Sequence, residues 1–208
     1  MFALVPWNLA LFWEINHLAA RTGWAHPVMA AFALWGGPVL LVLLLTLAWW
    51  TRRGRADAAR ALAAAVLTGV AALVSLGFNQ LFAALHTEVR PFIALRGVTV
   101  LLGHSADNSF PSDHAALGAA LAAGILVFAR GWGAIACAVA VFLAFARVYA
   151  GMHYPLDVLA GLAIGAAAAL LLVPTLSGPL GRAVQRWTPD AVRPLAGIEG
   201  RGPGGSAG

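Results

Sequence analysis

Charged and strongly polar residues divide this chain into apolar stretches. Each can be measured against the roughly 20 residues that a helix needs to cross a hydrocarbon core of about 30 Å. Residues 27–51 and 61–85 each supply 25 uncharged positions, enough for one span apiece. Residues 115–129 are too few alone, and reach spanning length only where the helix starts near Ser112, which sets Asp113 and His114 at one membrane face. Residues 131–146 likewise need Arg147 and Tyr149 at their outer end, while residues 158–181 are long enough and begin just after Asp157. Five spans are predicted. Before Pro27, the residues Trp7, Leu11, Phe12, Ile15 and Leu18 recur at helical spacing on one side, with Asn8, Glu14, Asn16 and His17 between them. This segment reads as an interfacial amphipathic helix, a sixth and poorly apolar span being the lesser alternative.

After Gly181 the chain turns to Arg, Pro and Gly, a composition that cannot bury a core. Ile198-Glu199-Gly200-Arg201 reads as a protease site of the kind engineered into recombinant chains, so residues from 197 onward are set aside. The predicted fold is therefore all-α: a polytopic membrane helix bundle of about five spans plus an N-terminal interfacial amphipathic helix. One domain covers residues 1–181, and residues 182–208 form a cytoplasmic tail without fixed structure. The first residues lack a basic n-region, so no cleavable signal peptide is expected and the first long span would act as its own targeting signal.

Composition agrees with a membrane chain. Of 208 residues, 61% are apolar and only 10% charged, and the mean hydropathy is +0.83. A soluble domain carries about 25% charge. All thirteen basic residues are arginine, and the net charge is +5. No stripe of arginine interleaved with aromatics appears, so nucleic acid is excluded as a partner. The arginines instead report orientation, because positive charge collects on the cytoplasmic side of short loops. Arg52, Arg53, Arg55, Arg60, Arg130, Arg182, Arg186 and Arg193 fall on one side, against Arg21, Arg90, Arg96 and Arg147 on the other. With five spans, the N-terminus is predicted outside, and residues 86–114 and 147–157 share the outer face. The single cysteine, Cys137, permits no intrachain disulfide.

Those two outer stretches hold the informative patterns: Thr87-Glu88-Val89-Arg90-Pro91-Phe92, Phe110-Pro111-Ser112-Asp113-His114, and residues 147–157 with Arg147, His153, Pro155 and Asp157. Pro155 suits the first turn of a helix, which puts His153 at its mouth and Asp157 one turn further in. A carboxylate one turn from an imidazole can hold one ring nitrogen and leave the other free as a nucleophile. Arg147 can clamp phosphate oxygens as a planar fork. Ser112 opens a span, where its hydroxyl and the free N–H groups of the first turn bind anions. His114 projects from that turn as a candidate general acid, and Asp113 is either a substrate contact or a helix-capping acid. The set describes a phosphate-transfer site that needs no metal and no cofactor. Elsewhere the simple readings stand: His17 and His26 as interfacial residues, Trp7, Trp13, Trp24, Trp49 and Trp50 as an aromatic belt, and Gly36, Gly69, Gly118, Gly161 and Gly165 as helix-packing positions.

Over about residues 8–176 the chain resembles the type 2 phosphatidic acid phosphatase superfamily of membrane lipid phosphatases. Of that family's signatures, Ser-Arg-x5-His-x3-Asp is met at Arg147, His153 and Asp157, with Ala146 in place of serine. Pro-Ser-Gly-His is met as Pro111-Ser112-Asp113-His114, the aspartate resembling the bacitracin-resistance type of undecaprenyl-diphosphate phosphatase. Lys-x6-Arg-Pro is half met: Arg90-Pro91 stands, but the lysine position is Ala83. Phe78-Asn79-Gln80 and residues 11–16 are also similar to that subfamily.

The resemblance implies that His153 attacks phosphorus to form a phosphohistidine, that Asp157 orients it, and that His114 protonates the leaving phosphate. Arg90, Arg147 and Ser112, with Asp113, would bind substrate, and Gln80, His86 or Arg96 would stand in for the missing lysine, Gln80 first among them. It further implies a polyprenyl diphosphate substrate, hydrolysed at the outer face of the plasma membrane to recycle the lipid carrier for cell-wall precursors. The rival readings are a phosphatase for phosphatidate or phosphatidylglycerol phosphate, and a non-catalytic lipid-phosphate binder or transporter.

Overall fold

The structure, a computed structural model, describes residues 5–103, 107–189 and 191–198. Residues 199–201 of the expected protease site lie outside the described residues. In chain order the elements are α1 (Pro6–Arg21), a 3-10 turn (Gly23–Ala25), α2 (His26–Ala31), a π-helical turn (Phe32–Gly36) and α3 (Gly37–Trp50). They are followed by α4 (Ala58–Leu85), α5 (Pro91–Ala94), α6 (Asp113–Phe128), α7 (Arg130–Tyr149), α8 (Pro155–Trp187) and α9 (Arg193–Ala196). Among the described residues there is no strand. Four helical stretches are long and apolar enough to cross a membrane: Gly23–Trp50, Ala58–Leu85, Arg130–Tyr149 and Pro155–Trp187. The fifth expected span is the shorter apolar helix α6.

That short helix is the centre of the bundle, packed against α3, α4, α7 and α8. Its composition explains why. Ala115, Ala116, Gly118, Ala119, Ala120, Ala122, Ala123 and Gly124 are all buried, and small side chains let neighbouring backbones come close. The approach is closest to α8. A Cβ at Gly161 would stand 2.4 Å from the Ser112 carbonyl oxygen, and one at Gly165 would stand 2.0 Å from that of Ala116. These two glycines let the α8 backbone rest on the first turns of α6, which carry Ser112, Asp113 and His114. Gly69 behaves otherwise than expected: nothing lies within 4 Å of where its Cβ would be, so it is not a packing position.

The start of α6 is recessed. Asn79 and Gln80, which touch Asp113, sit six and five residues before the end of α4 at Leu85. At 1.5 Å per residue, the first turn of α6 lies about 9 Å below the end of α4. His114 meets Leu34, eleven residues into the span that begins at Gly23, or about 16 Å along it.

Helix α1 departs from the expected amphipathic arrangement, burying two of its polar residues with one of its large apolar ones, while Glu14 and His17 stay exposed. Its buried residues are Asn8, Phe12, Asn16 and Ala19, whereas Trp7, Leu11 and Leu18 are exposed. In lipid the apolar side can face outward, and the polar side is satisfied by backbone. Asn8 Oδ1 accepts the Leu156 N–H at 2.9 Å, in the first turn of α8. Asn16 donates to the carbonyls of Thr99 at 2.8 Å and Tyr149 at 3.3 Å, and accepts the Thr99 N–H at 2.9 Å. Phe12 packs against Tyr154 and Val158 between these anchors.

At the opposite end, the tail expected to lack structure from 182 stays helical to Trp187, and α9 folds back beneath the α3–α4 turn. Arg53 donates to the carbonyls of Pro194 and Leu195, and the Gly54 N–H to that of Gly197. The buried Arg193 satisfies the free carbonyls of Gln185 and Thr188 where α8 ends, a need that composition alone does not register.

Candidate functional site

Four element ends converge at the recess: the end of α4, the start of α6, the end of α7 and the start of α8. Between α7 and α8 the chain turns through Gly151, whose φ of +75° is open to glycine and whose Cβ would lie 2.6 Å from the Thr99 carbonyl oxygen. This turn delivers His153 into the bundle, where it is 2% exposed. Pro155 then starts α8, and Asp157 in the first turn accepts the Tyr154 N–H at 2.9 Å.

The two nitrogens of His153 have different partners. Nδ1 lies 2.9 Å from the carbonyl oxygen of Ser109. Nε2 lies 3.2 Å from Arg90 Nη1 and 3.4 Å from Arg147 Nη2. A carbonyl can only accept and a guanidinium can only donate, so these partners put the proton on Nδ1 and leave the Nε2 lone pair facing two cations. Burial lowers the His153 pKa to about 4, with the two guanidiniums acting in the same direction against the pull of Asp157. The ring is therefore neutral at physiological pH. Burial, with Asp157 and Glu88 nearby, also pushes the Tyr154 phenol up to about 12.

Asp157 does not hold the ring directly, as the spacing led one to expect. Its Oδ2 is 3.6 Å from His153 Nδ1, and the shorter contact of that oxygen is with Ser109 Oγ, which donates to it at 2.5 Å. Ser109 is a site residue that sequence reasoning missed, since a serine three positions before Ser112 carries no signal of its own. Arg90 is fixed by donating through Nε to Asp107 Oδ1 at 2.9 Å and through Nη1 to the Met152 carbonyl at 3.0 Å. Arg147, 4% exposed, donates to the Ala33 carbonyl at 3.4 Å, and its Nε has no partner.

His114 Nε2 lies 3.3 Å from the Leu34 carbonyl oxygen. Ala33 and Leu34 both belong to the π-helical turn, whose wider hydrogen-bond spacing leaves carbonyls available to side chains. Asp113 accepts from Asn79 Nδ2 at 2.9 Å and from Gln80 Nε2 at 3.3 Å. Gln80 thus turns its amide to Asp113, although it does line the cavity beside Ala83. Asn79, known beforehand only through resemblance, is buried there with its Oδ1 unpartnered.

Gln80, Arg90, Asp113, His114, Arg147 and His153 all line one cavity of about 260 Å³. Ser112 and Asp157 are buried and do not line it, and the Ser112 hydroxyl has no protein partner. The arrangement joins a neutral imidazole nitrogen, two guanidiniums and a second imidazole around a space that fits a phosphate group.

The sequence profile of the family described as the PAP2 superfamily matches residues 62–179. The chain is 33% identical over 157 residues to the protein named undecaprenyl-diphosphatase BcrC of Bacillus subtilis (strain 168), covering 76% of this chain and 78% of the relative. It is 29% identical over 165 residues to the bacitracin transport permease protein BcrC of Bacillus licheniformis, covering 79% and 78%. Among solved structures, that of Aquifex aeolicus LpxE superposes with a TM-score of 0.62 at 25% identity, covering 82% of this chain and 97% of that one.

Proposed function

Because the chain belongs to the PAP2 superfamily and is a multi-pass membrane lipid phosphatase, we propose that its substrate is undecaprenyl diphosphate. It hydrolyses this lipid to undecaprenyl phosphate at the outer face of the inner (plasma) membrane, without a metal, through a phosphohistidine. The observation that carries the reading is His153 Nε2 facing Arg90 and Arg147 at the cavity wall. The name of the Bacillus subtilis relative supports the substrate, and the arginine asymmetry supports the orientation.

In this mechanism the Nε2 lone pair attacks the terminal phosphorus, forming an N–P bond as the bond to the bridging oxygen breaks. Arg90 and Arg147 hold the equatorial oxygens, where stabilisation of developing charge matters most in phosphoryl transfer. The Ser112 hydroxyl, buried and unpartnered, supplies a further donor. His114 gives a proton to the departing lipid phosphate. It then takes one from the water that attacks the phosphohistidine, so that inorganic phosphate leaves and Nε2 is restored. Asp113, held by Asn79 and Gln80, borders the same cavity.

Phosphate release by the purified protein is to be measured in EDTA across undecaprenyl diphosphate, phosphatidate and phosphatidylglycerol phosphate. The diphosphate is expected to turn over fastest, with full activity in the chelator. Faster hydrolysis of either glycerolipid would overturn the substrate, and magnesium-reversible loss in EDTA would overturn the chemistry. Binding without release from any of them would favour a lipid-phosphate carrier.

A further inference from the structure

We propose that Ser109 is a positioning residue for His153, coupling the Asp157 carboxylate to the ring and fixing its tautomer. The proposal rests on the reading of His153 as nucleophile given above.

Ser109 is fully buried and engages both partners with different atoms. Its hydroxyl donates to Asp157 Oδ2 at 2.5 Å, while its carbonyl oxygen accepts from His153 Nδ1 at 2.9 Å. Its own N–H is tied to the Glu88 carbonyl at 2.9 Å, and Asn108 Oδ1 accepts the Glu88 N–H, so the residue is clamped from the α4–α5 loop. Asp157 Oδ2, already taken by the hydroxyl and the Tyr154 N–H, stays 3.6 Å from Nδ1, beyond hydrogen-bond length.

Removing the hydroxyl would vacate one acceptor site on Oδ2, and the carboxylate could close on the Nδ1 proton. Such a contact favours the imidazolium. The serine hydroxyl therefore keeps the carboxylate at a distance where it orients the ring without protonating it. The other groups that face the ring are Arg90 beside α5, Arg147 on α7 and His114 on α6, and a change at Ser109 leaves each in place. A purely structural serine would stabilise the loop without altering the ring.

The test is nitrogen NMR of the full chain labelled with ¹⁵N-histidine in detergent, with the His153→Gln spectrum identifying the signal. In the unaltered protein the ring is expected neutral, with its proton on Nδ1, down to about pH 5. In Ser109→Ala the titration midpoint should rise by about one unit. The acid limb of kcat/KM should move with it by the same unit. Ser109→Thr, which keeps the hydroxyl, should return the midpoint toward the original.

A proton on Nε2 in the unaltered protein would overturn the proposal without any variant. An unshifted midpoint in a folded Ser109→Ala would do the same. If no lipid is hydrolysed at all, the proposed function fails, while the spectra still decide the role of Ser109.

Discussion

His114 Nε2 lies 3.3 Å from the carbonyl oxygen of Leu34, which can only accept, so this nitrogen carries the ring proton at rest. The same carbonyl that orients the ring also occupies its proton. Delivery to a leaving group then comes from an imidazolium or from a ring released by Leu34. His114→Ala should accordingly lose much less activity on p-nitrophenyl phosphate, whose leaving group needs little help, than on a lipid monophosphate. His153→Ala should lose both, together with any acid-labile phosphoenzyme, provided chemistry limits turnover. Rates on the two substrates and acid-quench trapping check this, and an equal His114→Ala defect on both would reassign the roles.

Stability should depend on pH through His153. Its folded pKa of about 4 lies below the unfolded value of 6.5, so between these values the unfolded chain binds more protons. The contribution is complete above about pH 6.5 and falls away toward pH 4, worth on the order of 3 kcal/mol. Melting temperatures in detergent should drop over that window, and less so in His153→Gln. An identical decline in the variant would assign the acid sensitivity elsewhere.

Two glycines should respond in opposite ways. At Gly165 a methyl group would press 2.0 Å from the Ala116 carbonyl and force α8 off α6, a cost of about 3 kcal/mol. At Gly69 a methyl group meets nothing within 4 Å and only gains helix propensity. Gly165→Ala should therefore lower both melting temperature and activity, while Gly69→Ala leaves both intact. Comparable losses would mean that α4 presents Gly69 to a partner.

Orientation can be read chemically in a Cys137→Ser background. Gly103 and Ala56 are both exposed, at opposite ends of the bundle. A membrane-impermeant thiol reagent should label Gly103→Cys on intact cells, and Ala56→Cys only after lysis. The reverse pattern would place the site inside and remove the outer-face argument for the substrate.

The spans were legible because charged residues mark where each apolar run must end, as between Leu85 and Pro91. Hydropathy could not reveal which side of α1 faces protein. A soluble helix buries its apolar stripe, yet with lipid outside it is Asn8 and Asn16 that turn inward to meet the backbone of Leu156 and Thr99. The motif residues announced which side chains to watch, but not how they connect. The contact of Asp157 with His153 runs by way of Ser109, and the holds on His114 and Arg147 are backbone carbonyls of Leu34 and Ala33. Main-chain acceptors leave no trace in residue identity, and neither does the π-helical turn that frees them.

The depth at which α6 begins, about 9 Å below the end of α4, acts as a gauge. A phosphate on a hydrocarbon anchor travels at nearly constant height, so its search is confined to one plane and its local concentration at that level is high. A water-soluble ester has no such tether and arrives only from bulk solution. Under the proposed function, the height of one helix start thereby favours esters dissolved in the bilayer over those, such as p-nitrophenyl phosphate, that diffuse freely above it.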